Sequence, residues 1–206
     1  MALKMKDFLR ERVINRANRD RLSNNDFSII SSNCTGAFIL HELRQRFNSP
    51  TVNLYMDAKD YVRFLENLDI YLQCDLKEIS DNSCDYPLGA LGDLVVHFMH
   101  YSSFEQAKEK WHERIQRINT ENLFVMMCER DGCRKELMER FDQLPYKNKV
   151  IFTHLPYPEI KSAFYISGFE KEKELGHLYK YQSIFNLKKH YDKFDYVKWL
   201  NDGAES

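Results

Sequence analysis

The chain is poor in most of what marks a specialised protein. Its 206 residues hold seven glycines and five prolines, without a flexible linker, a low-complexity tract or an internal repeat. No apolar run reaches the roughly 20 residues that span a bilayer. The start, Met1-Ala2-Leu3-Lys4, turns charged at once and lacks the apolar stretch of a signal peptide. With 30 basic and 31 acidic residues the formal net charge is −1, so no global field draws in nucleic acid, and none is expected as a partner. The cysteines (Cys34, Cys74, Cys84, Cys128 and Cys133) are odd in number and scattered, which without an export signal points to reduced thiols and a cytoplasmic location. The sequence has no Asp-x-Asp, no three-glycine dinucleotide fingerprint and no lysine-ended phosphate loop. No cofactor and no metal is expected. His97 and His100, three apart, point to opposite faces of a strand, and Cys128 with Cys133 has neither zinc spacing nor a second pair.

What is present is core material: 43% hydrophobic and 14% aromatic residues, enough for one domain at this length. Residues 1–22 predict a basic amphipathic helix, either packed with a solvated polar face or in contact with an anionic membrane surface. Apolar runs predict strands at 27–31, 51–56, 94–99, 122–127, 149–153 and 163–167, with a further short strand and a loop, including an Asp81-Asn82-Ser83 turn, in 75–92. Helices are expected at 37–47, after Asp57, after a Ser102…Glu105 capping box, at 133–143 and at 187–200. The aromatic-rich extension from Tyr179 reads as core cover or as an interface. Strands alternating with helices give a single three-layer, Rossmann-like α/β domain, its sheet largely parallel with helices on both faces.

In such folds ligands sit at the carboxyl ends of the strands. That rule selects Ser32, Asn33, Cys34 and Gly36 after the first strand, Asp57 after the second, His100 and Tyr101 after the third, Glu129 after the fourth and His154 after the fifth. Small polar residues and a glycine at a helix start can bring amides to an anion, or can simply cap the helix. Cys34 could be a nucleophile with His100 or His154 as its base, or an inert thiol. Cys128 and Arg134 have the spacing of a phosphatase loop, but Glu129 and Asp131 inside it would repel phosphate. Arg114 and Arg117 border the apolar stripe of one helix, where an arginine can take a phosphate or form a structural ion pair.

The segments Phe27-Ser28-Ile29-Ile30-Ser31-Ser32-Asn33-Cys34, Ser49-Pro50-Thr51-Val52, His100-Tyr101 and Trp111…Arg114…Arg117-Ile118-Asn119 resemble a bacterial family of unassigned function. Its members are often labelled exopolysaccharide or capsular polysaccharide biosynthesis proteins. The resemblance covers residues 25 to about 170 and implies a role in building surface glycans, without a catalytic residue to carry over.

Three functions follow as expectations. The first is a glycosyltransferase-like protein. It binds a nucleotide-sugar at the Ser32–Gly36 helix start, with Arg114 or Arg117, together with Asn119, Tyr101 and His154, around the ligand and His100, Glu129 or Asp57 as base. Without a metal clamp, a partner chain or a dimer would have to close the site. The second is a non-catalytic module binding a sugar, nucleotide or protein. The third is a cysteine-dependent hydrolase.

Overall fold

The computed structural model describes residues 2–81 and 84–203. The Asn82-Ser83 part of the expected turn and the last three residues of the C-terminal extension lie outside them. In chain order, α1 (Ala2–Arg10), a π-helical turn (Glu11–Asn15) and α2 (Arg16–Arg21) lead into β1 (Ser28–Ser31) and α3 (Thr35–Glu42). Next come α4 (Ala58–Glu66), α5 (Leu68–Gln73), β2 (Leu76–Ile79), β3 (Leu88–Leu91) and β4 (Leu94–His97). Then follow α6 (Phe104–Ile115), β5 (Leu123–Cys128), α7 (Lys135–Asp142), β6 (Asn148–Thr153) and β7 (Ala163–Tyr165), and finally a 3-10 turn (His190–Lys193) and α8 (Tyr196–Asp202). Among the described residues no helix is long and apolar enough to cross a membrane.

The protein is mixed α/β. β1, β5, β6 and β7 form one sheet in that order, every pair parallel. The continuous burial of β1 and β5 is what a sheet covered on both faces requires. Along β5 the two cores alternate. Leu123, Val125 and Met127 join α4, α6 and α7, while Phe124, Met126 and Cys128 join α3, α8 and Tyr191. The chain walks across this sheet in one direction, and right-handed crossovers then lay their helices on one face. The opposite face is left to α3 and the returning C-terminal segment, so part of the aromatic-rich extension is core cover: Tyr191, Tyr196 and Leu200 are buried, whereas Phe185 is exposed.

Three expected elements differ. Residues 51–56 are not a strand, because Asn53 takes a left-handed φ of 63° that breaks extension; only Tyr55 pairs, in a bridge to His97. β4 belongs to a separate antiparallel sheet ordered β2-β3-β4, closed by the tight turn at Gly92 (φ 63°). The apolar run from Leu94 carries no information on which sheet it joins. Instead of a helix over 187–200 there is one 3-10 turn and the short α8. The cap of α6 also moves by one residue: Ser103 accepts from the Gln106 amide at 3.2 Å, and the Gln106 side chain accepts from the Ser102 amide.

One buried network anchors the N-terminal helix. Arg10, 1% exposed, donates to Glu42 and to Asp192 at 2.5–3.0 Å and to the Leu187 carbonyl at 2.8 Å. Lys189 reaches Glu42 at 2.8 Å. A burial penalty on each charge is outweighed only because both partners are in place.

Candidate functional site

A cavity of about 390 Å³ opens at the carboxyl end of β1 and β5. The parallel strands bring the segments after Ser31 and Cys128 side by side, and the small sheet brings a third segment alongside. Asn33 shapes the start of α3: its Oδ1 accepts from the Thr35 amide at 3.0 Å and the Thr35 hydroxyl at 2.8 Å, an Asx turn. Cys34 is the residue before the helix, and its Sγ lies 3.7 Å from the Leu54 carbonyl. Burial pushes this thiol up to about 11, so it is protonated and a poor nucleophile near neutral pH.

Aromatic rings form part of the walls. Phe38 and Tyr179 lie 4.7 Å apart between ring centroids, and Tyr179 and His177 5.2 Å. From the small-sheet side come Tyr55, stacked on His97 at 4.3 Å, and Tyr86. The Tyr86 hydroxyl lies 3.1 Å from that of Tyr55 and 3.3 Å from His97 Nδ1. Burial lowers the pKa of His97 and raises that of Tyr55, so both rings are held neutral.

The charges at the cavity are balanced. Arg130 donates from Nε to both Asp131 oxygens, at 3.3 and 3.1 Å, and from Nη1 to His177 Nδ1 at 3.0 Å. An arginine can only donate, so His177 Nδ1 accepts and the ring is neutral on that side. Burial, then the Arg130 charge, lowers the His177 pKa. Asp131 holds a left-handed φ of 56°, and its amide donates to Glu174 at 3.2 Å.

Of the residues selected from the sequence, Asn33, Cys34 and His100 line this cavity. The others do not. Ser32 is buried, accepting from the Cys128 amide at 3.2 Å and so stitching β1 to β5. Gly36 serves packing: a Cβ there would meet the Ser31 Cβ at 2.9 Å. Asp57 is an exposed residue at the head of α4, without a side-chain capping bond. Glu129 is fully occupied. Its Oε2 lies 2.8 Å from the His154 amide and 2.7 Å from His154 Nδ1, and its Oε1 accepts from Tyr157 at 2.8 Å; this locks His154 away as well. Tyr101 and Arg114 hold the Val52 carbonyl. Arg117 pairs with Glu113 at 3.3 Å. Asn119 binds Ser28 and Asp26 at the amino end of β1, the opposite pole of the sheet. Because the order β1-β5-β6-β7 never reverses, the sheet has no switch point, and the cavity lies toward its β1 edge.

Cys128, fully buried with its pKa raised by burial to about 11, is no phosphatase nucleophile. Among the described residues no group of three His, Cys, Asp or Glu is placed to hold a metal.

Arg130, Asp131, His177 and Tyr179 were missed. Arg130 and Asp131 follow Glu129 directly, so the strand-end rule stopped short of them; an Asp-Gly pair after a strand marks such a turn. Nothing in the sequence marks His177, and Tyr179 stands out only as the start of the aromatic-rich extension; both return to the rim from the far end of the chain.

Comparison with known proteins places this geometry in a family. Residues 5–201 match a domain of unknown function, DUF1919. A protein of Haemophilus influenzae described as uncharacterized is 52% identical over 188 residues, covering 91% of this chain and 90% of the relative.

Proposed function

The chain belongs to the DUF1919 family, and from the cavity we propose that it is a sugar-binding, glycosyltransferase-like protein of exopolysaccharide or capsular polysaccharide biosynthesis. One observation carries the reading: aromatic planes line a charge-balanced cavity at the carboxyl ends of parallel strands. A pyranose has an apolar C–H face that lies on an aromatic ring and a hydroxyl rim that takes a few polar partners. Phe38 and Tyr179 offer the ring faces; Asn33, Arg130 and Asp131 offer the polar partners. For transfer, His100 is the candidate base retained from the sequence, since it is exposed and lines the cavity, and imidazole is the commonest general base. Glu129 is withdrawn from that role by its three hydrogen bonds.

A second reading, a non-catalytic sugar-binding module, is favoured by the state of Arg130. Its guanidinium is engaged by Asp131 and His177, so a leaving diphosphate finds no unengaged arginine in the cavity. The raised pKa of Cys34 argues against the cysteine hydrolase.

The test is thermal unfolding against a panel of nucleotide-sugars, the matching nucleotides and the matching monosaccharides. Stabilisation by a nucleotide-sugar beyond that by its nucleotide, lost in Tyr179→Ala, supports the reading. Release of nucleoside diphosphate that His100→Ala abolishes selects the transferase over the module. If no sugar-bearing compound shifts the transition at millimolar concentration, the sugar site is wrong.

A further inference from the structure

The N-terminal helix keeps an apolar stripe in solvent. Met5, Phe8, Leu9 and Val13 are all exposed; Met5, Phe8 and Leu9 lie about 140°, 160° and 100° round the helix from Arg10, which points into the protein, at about 100° per residue. Beside the helix stands a loop tip whose two large apolar residues, Ile184 and Phe185, are 86% and 98% exposed. Lys6 ties this tip to α1, donating to the Ser183 and Ile184 carbonyls at 2.6 and 3.3 Å, and Tyr181 donates to Asp7 at 2.7 Å. Two apolar features far apart in sequence are thus fixed side by side.

Isolated exposed apolar residues are ordinary; a group of them held on one flank by hydrogen bonds, with cations around it, is not. Lys4, Arg12, Arg16 and Lys188 are exposed and form no ion pair among the described residues. Of the acids on the same flank, Glu11 is paired with Arg19 and Arg44, which leaves Asp7 and Asp20 against Lys4, Arg12, Arg16 and Lys188. The patch therefore combines apolar side chains with uncompensated positive charge, although the whole chain carries −1.

We infer that α1 and the Ile184-Phe185 tip form a docking surface for an anionic lipid bilayer. The helix lies in the headgroup plane, its apolar stripe and the loop tip enter the acyl boundary, and the lysines and arginines meet the lipid phosphates. A protein partner would supply complementary carboxylates in a shaped groove. The exposed tip with flanking cations suits an anionic fluid surface instead. Docking here is independent of what the cavity binds.

The experiment is sedimentation of the full chain with vesicles of phosphatidylcholine alone and of phosphatidylcholine mixed with phosphatidylglycerol. The expected result is binding to the mixed vesicles only, weakened by salt, and reduced about tenfold or more both in Ile184→Ser/Phe185→Ser and in Arg12→Glu/Arg16→Glu. These side chains are exposed, so an unchanged melting transition certifies each variant. No binding to either vesicle overturns the inference. So does binding lost with the charge pair but indifferent to the loop pair, which is plain electrostatic adsorption. A concentration-dependent dimer abolished by the loop pair, without lipid binding, overturns it in favour of a second copy of the chain.

Discussion

Arg114 Nη1 donates to the Tyr101 hydroxyl at 2.6 Å, and both side chains reach the same Val52 carbonyl. The guanidinium, 8% exposed, is spent on fixing the 51–57 segment to α6, and that segment carries Tyr55 to the cavity. Arg114→Gln should therefore lower stability by about 2 kcal/mol, the scale of a buried hydrogen bond to a charged group, measured by urea denaturation. Sugar affinity of the folded variant should change little. A loss of affinity at unchanged stability would return Arg114 to the ligand.

Arg10 should be far more costly to remove. Arg10→Met leaves Glu42 and Asp192 buried without their guanidinium, which costs about 3–5 kcal/mol. Glu42→Gln in the same background should recover part of that loss, and a double-mutant cycle measures the coupling. Additive effects would mean that the pair does not act as a unit.

Acid should destabilise the fold in two stages. Burial lowers the pKa of His97, His177 and His190 below the ordinary 6.5. Their contribution is complete above that value and falls as the pH drops from 6.5 toward their folded-state values, because the unfolded chain takes up protons first. For Glu42, burial alone would raise the pKa, but Arg10 and Lys189 outweigh it and hold it below 4.5. Its contribution is complete above 4.5 and is lost as the pH falls from there through its folded-state value. Denaturation midpoints measured across about pH 3–8 check this. In Arg10→Met the lower stage should shrink and the upper stage should stay.

Gly36→Ala should destabilise by about 1–3 kcal/mol through overpacking, since the new methyl would meet the Ser31 Cβ at 2.9 Å and the Ile29 side chain at 3.0 Å. Ligand-induced stabilisation should persist. If the substitution leaves stability intact and abolishes binding, the glycine serves the ligand.

A pKa of about 11 leaves about one Cys34 thiol in 10,000 ionised at pH 7. Alkylation by iodoacetamide, followed by peptide mass spectrometry, should run about two orders of magnitude slower at Cys34 than on free cysteine. Labelling faster than the free thiol would revive the hydrolase.

The sequence was most legible where burial alone decides the pattern. β5 is a continuous apolar run, β1 and β6 have the apolar centres Ile29-Ile30 and Val150-Ile151-Phe152, and α7 shows its stripe through Met138 and Phe141. Periodicity cannot tell which sheet a strand joins, so Leu94–His97 was assigned to the parallel sheet, and His100 with Tyr101 to its rim. His100 reaches the cavity all the same, through the small sheet. The strand-end rule found Asn33 and Cys34 because β1 does end at the cavity. It failed at Glu129 and His154, where the polar groups satisfy one another. Arg114 of α6 and Arg117 just beyond its end do not line the cavity, because an amphipathic wheel gives a residue's azimuth but not its height along the helix.

The segment from Leu175 to Leu200, together with α3, covers one face of the parallel sheet. During synthesis, Phe27, Ile29, Phe124 and Phe152, all in that core, are made well before Leu175, Tyr191 and Leu200, which close over them. At about 5–20 residues per second, a growing chain shows this oily face to the cell for several seconds. Every product truncated before Leu175 shows it permanently. The C-terminal segment is thus a built-in check on completeness: a finished chain hides its sheet, and an unfinished one displays what chaperones and proteases recognise.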